Sequence, residues 1–456
     1  MVDPRLEEFH RIHIVGVGGA GMSALARLLL GRGHSISGSD ARPSPVIDCM
    51  ADAGVEAWAG HRPDEVGKAD LVVASSAVPD GDAELVAARR AGIPVWRRPQ
   101  LLGALTDAIP TVGPSGTHGK TSATAMAVIA ARAAGLDPSF VVGGDLLDLG
   151  TNAAHGSDEL LILEVDEAFG TFEHLHLEGL VVTNVEADHL DHFGSTAEVE
   201  AAFERVARAV RGPVFACLDD PGSRRLAESV GAVGYGTDAD AIWRIVDLEE
   251  GADGSTFRLS GPSGAVDIEL PRPGIHMARN AAGALALLDA RGVDLAAAAG
   301  GLATFRGVGR RWEVRGTVNG ITVVDDYAHH PTEVAATLAA AVRAGRRVVA
   351  VFQPHLYSRT AEHAEAFGRA LAAAPVAVVL DVYGAREEPL PGVDGGLVSD
   401  AARRAGGSTV LDAPERAEAA RVVAGVAKPG DLVVCMGAGD ITDLAGELLD
   451  LWERGE

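Results

Sequence analysis

Short apolar, β-branched runs alternate along the chain with stretches whose apolar residues recur every three to four positions. The first pattern reads as buried strands and the second as amphipathic helices. In the first segment the pattern predicts strands at Arg11–Val17, Ser35–Ser39, Asp70–Ala74 and Pro94–Trp96, with a helix from about Ala20 to Gly33. A second segment opens on the apolar run before Gly113. It continues through a helix over Lys120–Gly135, strands at Glu159–Val165 and Gly179–Thr183, and a helix from about Thr196 to Val210. From Ala241 to Leu270 the pattern turns β-like and Gly-rich, and a helix from about Met277 to Arg291 follows. The third segment predicts strands at Ile321–Val324, Arg347–Phe352, Val376–Leu380 and Leu432–Cys435, and Ala296–Ala299 belongs to a helical stretch before it. Strands alternating with helices imply parallel sheets. The expected organisation is therefore three α/β domains, over residues 1–106, 107–309 and 310–456.

Length agrees, since 456 residues exceed the roughly 100–200 residues of one ordinary domain. With 47% hydrophobic and 23% charged residues, the chain can build several cores. It holds no run of about 18 uncharged apolar residues, which argues against a membrane span. The charged stretch Met1–Arg11, with Asp3, Glu7 and Glu8, is unlike a secretory leader, so a cytoplasmic protein is expected. A formal net charge of −25 disfavours non-specific nucleic-acid binding, which needs basic surface. Cys49, Cys217 and Cys435 lack metal-ligand spacing and read as small buried hydrophobes in a reducing compartment. The chain carries 36 arginines and only three lysines, Lys68, Lys120 and Lys428. One of the three lies in the strongest chemical motif.

That motif is Gly116-Thr117-His118-Gly119-Lys120-Thr121, followed by Ser122, between a strand and a helix. Backbone N–H groups of such a loop converge on phosphate, and the helix end adds partial positive charge. Lys120 would reach the terminal phosphates of ATP, and the Thr121 hydroxyl would meet Mg²⁺. The strict pattern places a glycine where Pro114 stands, with Gly113 and Gly116 on either side. A second Gly-rich turn, Gly16-Val17-Gly18-Gly19-Ala20-Gly21, also joins a strand to a helix, and Asp40 lies 19 residues beyond Gly21. This spacing suits a dinucleotide. It suits the diphosphate of a UDP-sugar equally, because both bind as anions at a helix end. A dehydrogenase would leave Lys120 and the downstream acids without work, so two phosphorylated ligands are the better reading.

Two strand ends carry acids, Glu164-Val165-Asp166-Glu167 and Asn184-Val185-Glu186-Ala187-Asp188-His189. Ligands bind at the carboxyl ends of strands in open parallel sheets, and carboxylate oxygens suit Mg²⁺. Glu164 and His189 are the candidate metal ligands beside Thr121. In the third segment Asp325-Asp326-Tyr327-Ala328-His329-His330-Pro331 and Gln353–Thr360 each follow a strand. Histidines in pairs without other zinc-spaced ligands are more often structural or substrate-contacting than metal-binding.

The ordered set of Gly16–Met22 with Ser39-Asp40, Gly116–Thr121, Glu164–Glu167, Asn184–Asp191, His276–Ala281, Asp325–Glu333, Gln353–Thr360 and Gly437–Thr442 resembles the Mur ligase family over nearly the whole chain. Within it, the likeness is to members that join L-alanine to UDP-N-acetylmuramate. The resemblance implies a Rossmann-like N-terminal UDP-sugar domain, a central P-loop-type ATPase domain and a Rossmann-like C-terminal domain closing over ATP and the amino acid. It implies a monomer or homodimer and an acyl-phosphate intermediate. It gives Lys120 the phosphates, Thr121 and Glu164 the first Mg²⁺, and His189 the second. Asn280 would read adenine, while Arg311 and Asp325 would contact ATP. His329, His330, His355 and Arg359 would lie near the reacting groups. The sugar nucleotide would meet Gly18, Gly19, Ala20, Gly21, Ser39, Asp40, His61 and Ser75.

Some positions depart from the family pattern. Ala168-Phe169 stand where Ser-Asp is usual, Leu356 where arginine is common, and Ser122-Ala123 in place of threonines. No lysine lies between Lys120 and Lys428, so the carbamoylated lysine of related ligases has no counterpart after Asp188. A ligase attaching a peptide or another first amino acid, and a non-catalytic UDP-sugar-binding relative, remain the alternatives.

Overall fold

The computed structural model describes residues 5–385 and 387–455, with Asp191 described by its backbone alone. Residues 1–4 lie outside the described residues, so the reading of Met1–Arg11 meets the structure only from Arg5. Three sheets form, in keeping with three α/β domains. The first contains β1 (Arg11–Val15), β2 (Ser35–Asp40), β3 (Glu56–Ala59), β4 (Leu71–Ala74) and β5 (Val95–Arg97). They run parallel in the order β3-β2-β1-β4-β5.

The second sheet contains β6 (Thr111–Ser115), β7 (Pro138–Leu146), β8 (Thr151–Ala154), β9 (Ser157–Leu163) and β10 (Gly179–Val182). It continues with β11 (Val214–Cys217), β12 (Val233–Gly236), β13 (Trp243–Glu250), β14 (Ser255–Gly261) and β15 (Gly264–Leu270). Their order is β15-β14-β13-β12-β11-β10-β6-β9-β7-β8. The third comprises β16 (Glu313–Val318), β17 (Ile321–Asp326), β18 (Val348–Phe352), β19 (Val376–Val379), β20 (Val410–Asp412) and β21 (Leu432–Met436). Its order is β16-β17-β21-β18-β19-β20, parallel except for the β16–β17 hairpin.

The central strands β4, β6, β10, β18 and β21 are buried at every residue. Helices cover parallel sheets on both faces, which is why β4, β10, β18 and β21 are continuously apolar rather than alternating. The helix Lys120–Ala133 is buried without interruption from Thr121 to Ala131. Its alanines and β-branched residues fill space between layers instead of forming one apolar stripe.

Two compact units emerge. The first comprises residues 1–247, 257–269 and 279–306, and the second comprises 248–256, 270–278 and 307–456. Within the first unit the five-stranded and ten-stranded sheets are knit together. Arg27 donates to Asn152 Oδ1 at 2.8 Å, and Arg32 pairs with Asp158 at 3.1 Å. A Cβ on Gly31 would lie 2.6 Å from the His155 Cβ, so glycine lets the helix Ala20–Gly31 pack closely against β8. This packing sets the Gly-rich turn across a cavity from Glu164 and Asp166, just beyond the end of β9.

Most predicted elements form within a few residues of expectation. The predicted strand over Glu159–Val165 ends at Leu163, leaving Glu164 on the loop just beyond it. All three cysteines are free, and Cys217 and Cys435 are buried as expected. Cys49 is exposed instead. It sits on the outer side of the helix Pro45–Asp52, whose buried residues are Ile47 and Met50.

Candidate functional site

The phosphate loop runs from the end of β6 into the helix Lys120–Ala133. Gly116 and Gly119 have φ of 127° and 82°, a backbone that L side chains rarely adopt. A Cβ on Gly116 would lie 2.2 Å from Thr183 Oγ1, and one on Gly119 would lie 2.7 Å from Asn280 Oδ1. The end of β10 clamps the loop from outside. Asn184 accepts the His118 N–H at 2.8 Å and returns its amide to the His118 carbonyl at 3.0 Å. Thr183 donates to the same carbonyl at 2.5 Å, and Thr117 Oγ1 accepts the Glu186 N–H at 2.9 Å. The loop is thus held in shape by residues more than sixty positions away.

Lys120 Nζ lies 2.9 and 2.8 Å from the two Glu167 oxygens and 3.8 Å from Asp166. Burial opposes charge on Lys120, but the Glu167 and Asp166 carboxylates outweigh it and raise its pKa. Burial, helped by Asp166, pushes Glu167 up to about 7 against the pull of Lys120. The lysine is therefore a charged group paired with Glu167. That partner role of Glu167 is invisible to motif reading; only its place at an acidic strand end hinted at it.

Thr121 Oγ1 donates to Glu164 Oε1 at 3.0 Å, and the other Glu164 oxygen accepts the Gly143 N–H at 2.5 Å. A hydroxyl and a carboxylate meeting beside a phosphate loop are hard oxygen donors of the kind Mg²⁺ selects, so these residues fit that ion. His189 has φ 53° at the start of the helix Leu190–Phe193, with its backbone N–H on Asp188 at 2.8 Å. His118 Nε2 lies 3.5 Å from Glu186. Ser122 is buried in the first turn of the helix. Asn280, 5% exposed on the helix Ile275–Asp289, has its amide against Gly119, at the phosphate loop itself.

In the Gly-rich turn, Gly18 donates its N–H to Asp40 Oδ2 at 3.0 Å. A Cβ on Gly18 would lie 2.9 Å from that oxygen. Asp40 thereby closes the turn, and the helix Ala20–Gly31 begins with Gly19 as its N-cap. Ser39 is fully buried. Its hydroxyl donates to Glu84 and its carbonyl accepts the N–H groups of Gly16 and Val17, so it supports the turn from beneath. Burial works against charge on Glu84, but His13, the Arg62 N–H and Ser39 hold its carboxyl down at about 2. His61 is partly exposed, with Nδ1 3.3 Å from the same Glu84. Ser75 lies under Gly16, its Cβ 3.0 Å from where a Gly16 Cβ would be.

In the second unit, β17 ends at Asp325 and Asp326. Asp325 is fully buried and accepts from Thr442 Oγ1 at 2.5 Å, with Arg310 and Arg315 at 3.7 and 3.8 Å. Burial raises its pKa despite those partners. The residues with an open face here are the arginines rather than the aspartate. Burial pushes Asp326 up to about 6, and its oxygens accept the N–H groups of Trp312 and Ala328. Arg310 and Arg311 both lie over the Tyr327 ring, 4.9 and 5.0 Å from its centroid, and Arg311 approaches Glu333 at 3.5 Å. His329 meets His355 edge-on at 5.9 Å, and His355 stacks on Tyr383. Burial drives His329 down to about 4, with Glu333 opposing and Arg359 assisting, so its ring is neutral near pH 7. His330 caps the helix Pro331–Arg343. Arg359 stands in the first turn of the helix Tyr357–Leu371, whose N-cap Leu356 has φ 69°. The β17 and β18 ends thus assemble the third-segment candidates into one cluster, and the clamp formed by Thr183 and Asn184 is what motif reading did not assign.

Three family models match the chain in order. The Mur ligase family catalytic domain matches residues 11–109, the Mur ligase middle domain 115–288, and the Mur ligase glutamate ligase domain 310–439. UDP-N-acetylmuramate–L-alanine ligase from Rhodococcus jostii is 45% identical over 97% of this chain and 96% of its own. The enzyme of the same name from Mycolicibacterium vanbaalenii is 46% identical, with 97% and 96% covered. Among solved structures, UDP-N-acetylmuramate–alanine ligase from Thermotoga maritima superposes with a TM-score of 0.83 at 26% identity, covering 98% of this chain and all of that one.

Proposed function

Because the chain belongs to the Mur ligase family, we propose that it joins L-alanine to the lactyl carboxylate of UDP-N-acetylmuramate while converting ATP to ADP and phosphate. The observation that carries this reading is the set of Lys120, Thr121 and Glu164 at the phosphate loop, opposite the Gly18–Gly21 turn in the same unit. Ala20 and Gly21 of that turn and Glu164 line one cavity, a juxtaposition that a two-substrate phosphoryl transfer needs and a dehydrogenase does not.

In the reaction, a carboxylate oxygen forms a bond to the γ-phosphorus of ATP as the bond to the β,γ-bridging oxygen breaks. ADP leaves and an acyl phosphate remains. The alanine amine, having lost a proton, adds to the acyl carbon; the tetrahedral species then expels phosphate and leaves the amide. Phosphoryl transfer of this kind depends on positioning and charge neutralisation. Lys120 turns from Glu167 to the transferring phosphoryl group, and the N–H groups of Gly119 and Lys120 at the helix start face the phosphates. Thr121 and Glu164 would hold Mg²⁺, with His189 a candidate ligand for a second ion, and a bound metal would supply neutralisation of charge on phosphate oxygens. Asn280 fixes the nucleotide beside Gly119. Arg311 and the Arg310–Asp325 pair contact ATP, while His329, His330, His355 and Arg359 act on the amino acid. Gly18, Gly19, Ala20, Gly21, Asp40, His61 and Ser75 form the sugar-nucleotide side.

The protein would serve peptidoglycan precursor synthesis in the cytoplasm. Among the described residues no helix is long and apolar enough to cross a membrane. The test is phosphate release from ATP and Mg²⁺ with UDP-N-acetylmuramate, scanned over single amino acids and short peptides, with product masses recorded. A product heavier by one alanyl residue is expected. Turnover with a peptide only would keep the chemistry and change the substrate, and absence of turnover with every amine would overturn the reading.

A further inference from the structure

A cavity of about 150 Å³ opens inside the first unit between Ala20 and Gly21 on one side and Glu164, Asp166 and Thr171 on the other, and Arg98 lines it. Arg98 is the first residue of the helix Arg98–Ala108, which has no acidic residue in its first turn. A cation at a helix N-terminus opposes the helix dipole, so this arginine does not serve its own helix. Its Nε is buried without a hydrogen-bond partner. Among the described residues it is the one partly buried arginine whose side chain has neither a hydrogen bond nor an ion pair. Its guanidinium lies against Gly21, where an added Cβ would sit 3.1 to 3.4 Å from Cζ and both terminal nitrogens. Glycine at the start of the helix Ala20–Gly31 therefore leaves room for a guanidinium beside that helix end.

We infer that Arg98 is a binding residue for the diphosphate of the sugar nucleotide, an assignment that rests on the function proposed above. Two positive features, the N-terminal end of the helix Ala20–Gly31 and a partnerless guanidinium, converge on one edge of a cavity whose far wall includes Glu164 and Asp166. The guanidinium fork matches phosphate oxygens with two parallel N–H donors. A diphosphate held at that edge directs the rest of the sugar nucleotide across the cavity, toward the phosphate loop. Arg98 is thus also a positioning residue for the carboxylate that is phosphorylated.

Calorimetric binding of uridine, UMP, UDP and UDP-N-acetylmuramate to the wild type, Arg98→Ala and Arg98→Lys tests this. Arg98→Ala is expected to weaken UDP and UDP-N-acetylmuramate by about 10- to 100-fold and to leave uridine unchanged, with Arg98→Lys between. KM for the sugar nucleotide should rise while KM for ATP holds. The ligand-free Tm should stay level or rise, because a cation leaves a helix N-terminus; a purely structural arginine would lower it. Wild-type affinity for UDP in Arg98→Ala overturns the assignment. So does a loss confined to UDP-N-acetylmuramate, which would put the guanidinium at the carboxylate end instead. A wild-type protein that binds no UDP-sugar defeats the proposed function itself, separately from Arg98.

Discussion

Removing the Lys120 cation tests the phosphate site most directly. In Lys120→Ala the transferring phosphoryl group loses the charge that neutralises it, and a loss of at least about a thousandfold in kcat is expected, or roughly 4 kcal/mol at about 1.4 kcal/mol per decade. Stability should fall as well, because Glu167 is 2% exposed and has Lys120 at 2.8 Å. Breaking a buried pair and leaving a charge behind costs about 3–5 kcal/mol. The cost depends on pH. Burial already pushes Glu167 up to about 7, and without Lys120 it rises further. A carboxyl whose folded pKa lies above its unfolded value of about 4.3 keeps its stability in acid and loses it as pH rises through the folded pKa. The Tm deficit of Lys120→Ala should therefore be larger at pH 8 than at pH 6. Adding Glu167→Gln should recover most of the deficit at pH 8 and none of the activity. Phosphate-release assays and thermal melts at the two pH values measure both arms. A variant within tenfold of wild-type kcat would refute the assigned role, and a Tm deficit indifferent to pH and to Glu167→Gln would refute the pairing argument.

Three further outcomes follow from the geometry. Gly143→Ala places a Cβ 2.7 Å from both Glu164 oxygens and should raise the Mg²⁺ concentration for half-maximal activity about tenfold or more; an unchanged Mg²⁺ titration would count against Glu164 as a metal ligand. Asn184→Ala removes both hydrogen bonds to His118, and at roughly 1 kcal/mol each the KM for ATP should rise about tenfold or more, with KM for the sugar nucleotide unchanged. Glu84 is held at about 2, below its unfolded value, so it contributes stability above about pH 4.3 that is lost as pH falls toward 2, on the order of 3 kcal/mol in full. Thermal melts of Glu84→Gln should start lower at pH 7 and decline less steeply below pH 5, and a parallel decline would remove Glu84 as the source.

The sequence by itself determined the strands and helices that run through the cores. β4, β10, β18 and β21 are continuous apolar runs because both their faces are covered, and Gly116–Thr121 and Gly18–Gly21 are local turns whose chemistry is written in neighbouring residues. Edge elements escaped that reading for a physical reason. β3 and β16 are half-exposed, with mixed polarity, so no apolar pattern marks them. Side-chain partnerships depended on strand order. β10 lies beside β6 in the sheet although far from it in the chain, and that adjacency brings Thr183 and Asn184 onto the phosphate loop. β9, on the other side of β6, places Glu167 on Lys120 and Glu164 on Thr121. The same kind of contact buried Ser39 over Glu84, left Cys49 in solvent, and set a solitary Arg98 against Gly21. A motif names the residues that can do chemistry, because chemistry is a property of side chains. Only the tertiary structure decides which of them meet, because the packing that joins distant strand ends is not encoded in any one stretch.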